Sequence, residues 1–222
     1  THIVMPSWDT YLDDFARSGL GQLEGSFIDR LHQWAIPPWL RPVPYQLPTL
    51  AGFENQSVVI FEVVEEQDPA VAASRLAEYF VEVGQLDRAA NTAQALRRFP
   101  ADLGAWVARA QVEIARGDEE ALANSFKTLL PRLAAKGDRT LPWDRRVSLA
   151  VVLARGKHAD LAREQVRRCV AEIDEAKLRS LTTGSLYRLM VLSKGLGIPI
   201  TDEKLHALAL ELLPGDWRAR LQ

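Results

Sequence analysis

The chain has 222 residues, a formal net charge of −2 and one cysteine, with a pI near 6.1. The length admits one large domain, or one domain and an appendage, and a core of useful size. The charge balance argues against a general nucleic-acid binder, the lone Cys169 excludes an internal disulfide, and no run approaches the roughly 18 apolar residues that a membrane span needs.

The start, THIVMPSWD, lacks a basic stretch followed by a long apolar one and reads as no signal peptide. Beginning on threonine, the chain reads as either a processed product or an excised piece of a longer protein. His2 to Met5 is a short β-type run ended by Pro6. Ser7 suits a helix N-cap, and Trp8, Tyr11, Leu12 and Phe15 fall on one helical face that runs to about Arg17 before Gly19 and Gly21. Ser26 opens a second short helix, with Phe27, Leu31 and Trp34 on one face, and Pro37-Pro38 stops it.

The next piece, PPWLRPVPYQLP, carries five prolines between Pro37 and Pro48. Proline fixes φ and removes a backbone donor, so this stretch is expected to be extended, neither helix nor central strand. Trp39 and Tyr45 either serve as a ligand for an aromatic-lined groove or pin the segment onto its own domain. Ser57 to Val64 (SVVIFEVV) is the strong β run of the chain, and it and the HIVM run are expected to pair with each other or with a missing part of a parent protein.

From Asp68 onward the pattern is helical. Helices are expected at about 68–83, 86–98, 103–116, 119–134, 143–154, 159–179, 183–194 and 201–213, separated by Gly84, Pro100, Gly117, Gly137, Gly156 and Gly195-Leu196-Gly197. The expected architecture is therefore mostly α: residues 1–67 as a small α/β capping segment, and residues 68–222 as a domain of about four stacked helix hairpins.

Side chains with chemistry are scattered. His2, His32, His158 and His206 have no metal-ligand neighbour at helical spacing, and Asp9 with Asp13 reads as a solvated acidic face. Gly19-Leu-Gly21 and Gly195-Leu-Gly197 lack the strand and the Lys-Ser/Thr ending of a phosphate loop. The sequence points to no catalytic residue, no cofactor and no metal site. Arg97-Arg98, Arg145-Arg146 and Arg167-Arg168 read as cations late in helices or on their wet faces.

The spacing of the hairpins carries a family resemblance. Gly84 and Gly117 are 33 positions apart, and each is followed by an acidic residue and then Ala89 or Ala121. Trp106 and Ala110 precede Gly117 at the places that Ala73 and Ala77 hold before Gly84. Pro100 and Pro131 close the two units. The stretch is similar to the tetratricopeptide repeat, a helix–turn–helix unit of about 34 residues. The resemblance covers roughly residues 68–213 and loosens downstream, where Gly117 to Gly156 is 39 positions and Gly156 to Gly197 is 41.

What the resemblance implies is a superhelix whose first helices line a concave groove. Carried over, the groove positions are Ser74, Glu78, Val107, Gln111, Arg146 and Tyr187. The paired Lys and Asn that the family uses to hold an acidic peptide C-terminus are absent from these places, so the implied partner is another protein, an extended peptide, or another region of a parent chain. A groove filled by the chain's own N-terminal segment is the alternative. A buried Trp106, as the pattern requires, would cost on the order of 3–5 kcal/mol on truncation to Ala.

The first 64 residues, with MPSWDTYLDDFARSGL, the proline-rich piece and the β run, more distantly resemble the soluble C-terminal region of bacterial multi-pass membrane glycosyltransferases. On that resemblance the chain would be an accessory domain on the outer face of a membrane, with the catalytic part elsewhere. The compartment is open between that face and the cytoplasm.

Overall fold

The computed structural model describes residues 2–6, 26–44, 58–137, 140–213, 215 and 221. The helix expected at 7–17, with Asp9 and Asp13, lies outside the described residues, as does Tyr45.

Three strands form one antiparallel sheet: β1 (His2–Pro6), β2 (Leu40–Val43) and β3 (Val58–Val63), in the order β1-β3-β2. The two β runs pair as the sequence suggested, with Ile3 opposite Phe61 and Val4 opposite Ile60. β2 comes from the proline-rich piece. It holds Pro42 within an edge strand, where a missing N–H leaves no ladder bond broken toward a further neighbour. One face of the sheet is apolar: Leu40, Val59 and Phe61 are buried.

Helix α1 (Phe27–His32) begins at Ser26, whose Oγ accepts from the Asp29 N–H at 3.1 Å. It ends with Trp34 in the left-handed region, φ 59°, while the Ala35 N–H reaches back to the Arg30 carbonyl at 2.8 Å. A non-glycine residue there is strained by about 1–2 kcal/mol. The Trp34 ring offsets this by packing edge-on against Phe80, centroids 4.6 Å apart, and beside Tyr79 and Phe61.

Helices make up the rest: α2 (Pro69–Glu82), α3 (Leu86–Ala95) with a 3-10 turn at Leu96–Arg98, α4 (Leu103–Arg116), α5 (Glu119–Lys136), α6 (Trp143–Arg155), α7 (Ala159–Ala171), α8 (Glu175–Ser180), α9 (Thr183–Leu196) and α10 (Glu203–Glu211). Asp68, Asp102, Asp118, Thr182 and Asp202 each cap a helix with a side-chain oxygen on a backbone N–H. The fold is mostly helical with a small three-stranded sheet.

Three expectations need correction. The helix expected at 159–179 is two helices, because Asp174 caps α8 by accepting from the Lys177 N–H at 2.8 Å. That bond holds the Asp174 carboxyl below its ordinary pKa. Pro131 closes nothing. It sits inside α5, which continues to Lys136 and leaves the bond toward the Lys127 carbonyl unmade. Gly195 is helical, and α9 ends at Gly197, φ 68°.

The helices pack as neighbouring hairpins, α2 on α3, α4 on α5 and α6 on α7, and the first helices touch in the order α2, α4, α6, α9. Small residues allow the close approach: Ala77, Ala89 and Ala110 have no exposed surface. Sheet and first hairpins share one core, in which Leu31, Leu40 and Phe61 meet Ala77, Phe80 and Ala108. A second core lies around Leu129, Leu149 and Leu153, and a third around Leu178, Leu186 and Leu213.

Candidate functional site

Two hollows face the first helices. The larger, about 460 Å³, is bounded by one stripe from each of four helices. These are Glu78 and Val81 on α2, Gln111, Ile114 and Ala115 on α4, Val151, Ala154 and Arg155 on α6, and Tyr187, Arg188, Val191 and Leu192 on α9. Each stripe steps by three or four residues, the spacing that puts side chains on one helical face. The walls are mainly aliphatic. Val191 stands 43% exposed, a large apolar side chain left in water at this rim.

A direct tie across 100 positions of sequence joins α2 to α9. The Thr182 hydroxyl donates to Glu82 Oε1 at 2.9 Å, and the Arg188 guanidinium stands 3.5 Å from the same oxygen. The four adjacent first helices wall the hollow as a cup, and the tie itself lies at the smaller, neighbouring hollow. Burial pushes the Glu82 carboxyl above the ordinary range, against the opposing pull of Arg188, Thr182 and Ser185.

The smaller hollow, about 280 Å³, lies between sheet and helices and is polar. Its charges are paired. Arg41 bonds Glu62 across the β2–β3 pair, with Nε at 2.9 Å. Arg75 donates to Gln67 at 2.5 Å and to Asp144 at 3.4 Å. Glu78, shared by both hollows, forms an ion pair with the buried Arg145. Burial raises the Glu78 pKa, and Arg145 opposes the rise.

The six expected groove residues divide. Glu78, Gln111 and Tyr187 come together in the apolar cup. Gln111 is 7% exposed and its Oε1 has no hydrogen-bond partner among the described residues. Ser74 and Val107 are fully buried and offer no exposed atom. Arg146 turns to Glu172 just past α7, in a bidentate pair at 2.8 and 2.6 Å, and does not line either hollow. The sequence reading missed Val81, Ile114, Ala115, Val151 and Val191. The signal was present, since Val81, Ile114 and Val191 stand three or four positions after residues already chosen. It was hidden because apolar residues on a helix read first as core.

Among the described residues no group of three His, Cys, Asp or Glu side chains is placed to hold a metal ion. No helix among them is long and apolar enough to cross a membrane. No family model matches the chain, and no curated protein or solved structure matches it.

Proposed function

We propose that the chain is a non-enzymatic helical repeat module of the tetratricopeptide type, which holds a segment of another protein in the concavity of its first helices. The observation that supports this reading is the apolar cup, where four first helices each turn the same kind of stripe to one hollow. Its volume of about 460 Å³ falls within the range of about 300–1,000 Å³ usual for ligand pockets. Aliphatic walls with few polar groups suit a side chain to be held. The raised carboxylates nearby are engaged with Arg145, Arg188 and Thr182, as in structural ion-pair networks.

The test is a random peptide library displayed on phage and selected on the wild-type chain and on Ala115→Trp. Ala115 lines the cup and is half-buried, so the indole would fill the hollow. The expected result is clones enriched on wild type and lost on the variant, at an unchanged melting temperature. Enrichment of the same clones on both, or of none, counts against the reading.

A further inference from the structure

The cup's charges indicate what kind of segment it takes. Glu78 is neutralised by Arg145, and Glu82 stands against Arg188. Arg155 is the cup's uncompensated charge: it is exposed and has neither an ion pair nor a hydrogen bond with any described residue. It follows Ala154 and lies one turn beyond Val151, so its guanidinium stands directly beside the aliphatic wall. An unpaired guanidinium favours an anion.

Resting on the proposed peptide-binding function, we infer that the cup recognises an internal peptide segment in which one large aliphatic residue is followed directly by an aspartate or glutamate. The aliphatic side chain enters between Val81, Ile114, Val151 and Val191. The acidic side chain pairs with Arg155. A cup walled by four helices accepts a projecting side chain, and the rest of the segment lies across the mouth. Because the recognised anion is a side chain, the segment needs no free C-terminus.

The test uses the full chain and short fluorescein-labelled peptides in a Gly-Ser background, capped at both ends, read by anisotropy. The first peptide carries Leu-Asp, the second Leu-Lys, the third Ala-Asp. The expected result is binding of the first, a loss of about tenfold or more for Ala-Asp, and a loss of roughly three- to fivefold or more for Leu-Lys. Arg155→Glu, a surface change that leaves the core intact, is expected to reverse the order of Leu-Asp and Leu-Lys. Equal binding of Leu-Asp and Leu-Lys to wild type overturns the acidic preference and leaves the peptide-binding reading standing. That result would leave Arg155 as a cation that merely suits the last turn of α6. No binding of any of the three, with octanoate displacing a solvatochromic dye from the same cup, overturns both in favour of a site for small amphiphiles.

Discussion

Glu82 is 8% exposed in its side chain, and burial disfavours its charged form. Its pKa is raised in the fold, as are those of Glu78 and Glu113, in each case chiefly by burial. The folded chain therefore binds more protons than the unfolded chain between the ordinary glutamate pKa of about 4.3 and the raised values. Stability from these groups is complete below that window and is lost as pH rises through it. Glu82→Gln keeps the acceptor for Thr182 and removes the buried charge. Urea midpoints for the variant are expected to fall less than those of wild type as pH rises above the ordinary glutamate range; an equal fall would mean that burial does not raise the Glu82 pKa. Trp106 is a different case. Its Nε1 donates to the Pro100 carbonyl at 2.9 Å, and Arg109 lies 4.2 Å from the ring centre. It is half-buried, packed against the edge of the second core rather than enclosed in it. Trp106→Ala is therefore expected to cost roughly 2 kcal/mol in a denaturant melt, below the 3–5 kcal/mol scale of a buried ring.

At the scale of elements, the turns between hairpins show where sequence and structure part. Gly84 and Gly117 take φ of 75° and 68° at their helix ends, the role that the repeat pattern gives them. Gly156 looks the same in sequence, yet its φ is −76°, and the left-handed slot falls one residue later on Lys157, φ 66°. Glycine serves space rather than φ at this position: a Cβ at Gly156 would overlap the Phe126 ring. Lys157→Gly is expected to stabilise by about 1 kcal/mol, and Gly156→Ala to destabilise by about 1–3 kcal/mol, both read from thermal melts. A Lys157→Gly variant that is destabilised would mean that the left-handed residue is Gly156, in the ordinary glycine register. In α5, Pro131→Ala restores a helix bond and is expected to add about 1–3 kcal/mol. Helix positions and the β1–β3 pairing were legible because capping residues, periodicity and glycines state them locally. The pairing of β2 and the break at Asp174 were not, since each depends on which bonds distant or competing groups leave available.

Over the whole molecule, the cup exists because the last hairpin returns to the first. No local signal announces that return: Glu82 and Thr182 are polar residues beside helix ends, and their meeting is set by how two hairpins stack between the first and the last. Half of the expected groove residues reach the cup. The family resemblance ranks positions along a helix, but local helix rotation decides whether they face the cup or the core. Glu82→Ala removes the acceptor that Glu82→Gln retains. The alanine variant is expected to speed amide exchange at the start of α9 by a factor equivalent to about 1–3 kcal/mol, while the glutamine variant stays near wild type. Equal exchange in the two would show that the tie does not hold the ring. The most direct test of the account is a methyl chemical-shift titration with the Leu-Asp peptide. Shifts are expected at Val81, Ile114, Val151, Val191 and Leu192, and none at Leu161, which stands 45% exposed on α7 and lines neither hollow. Shifts gathered around Leu161 or on the sheet, with the cup methyls unmoved, would contradict it.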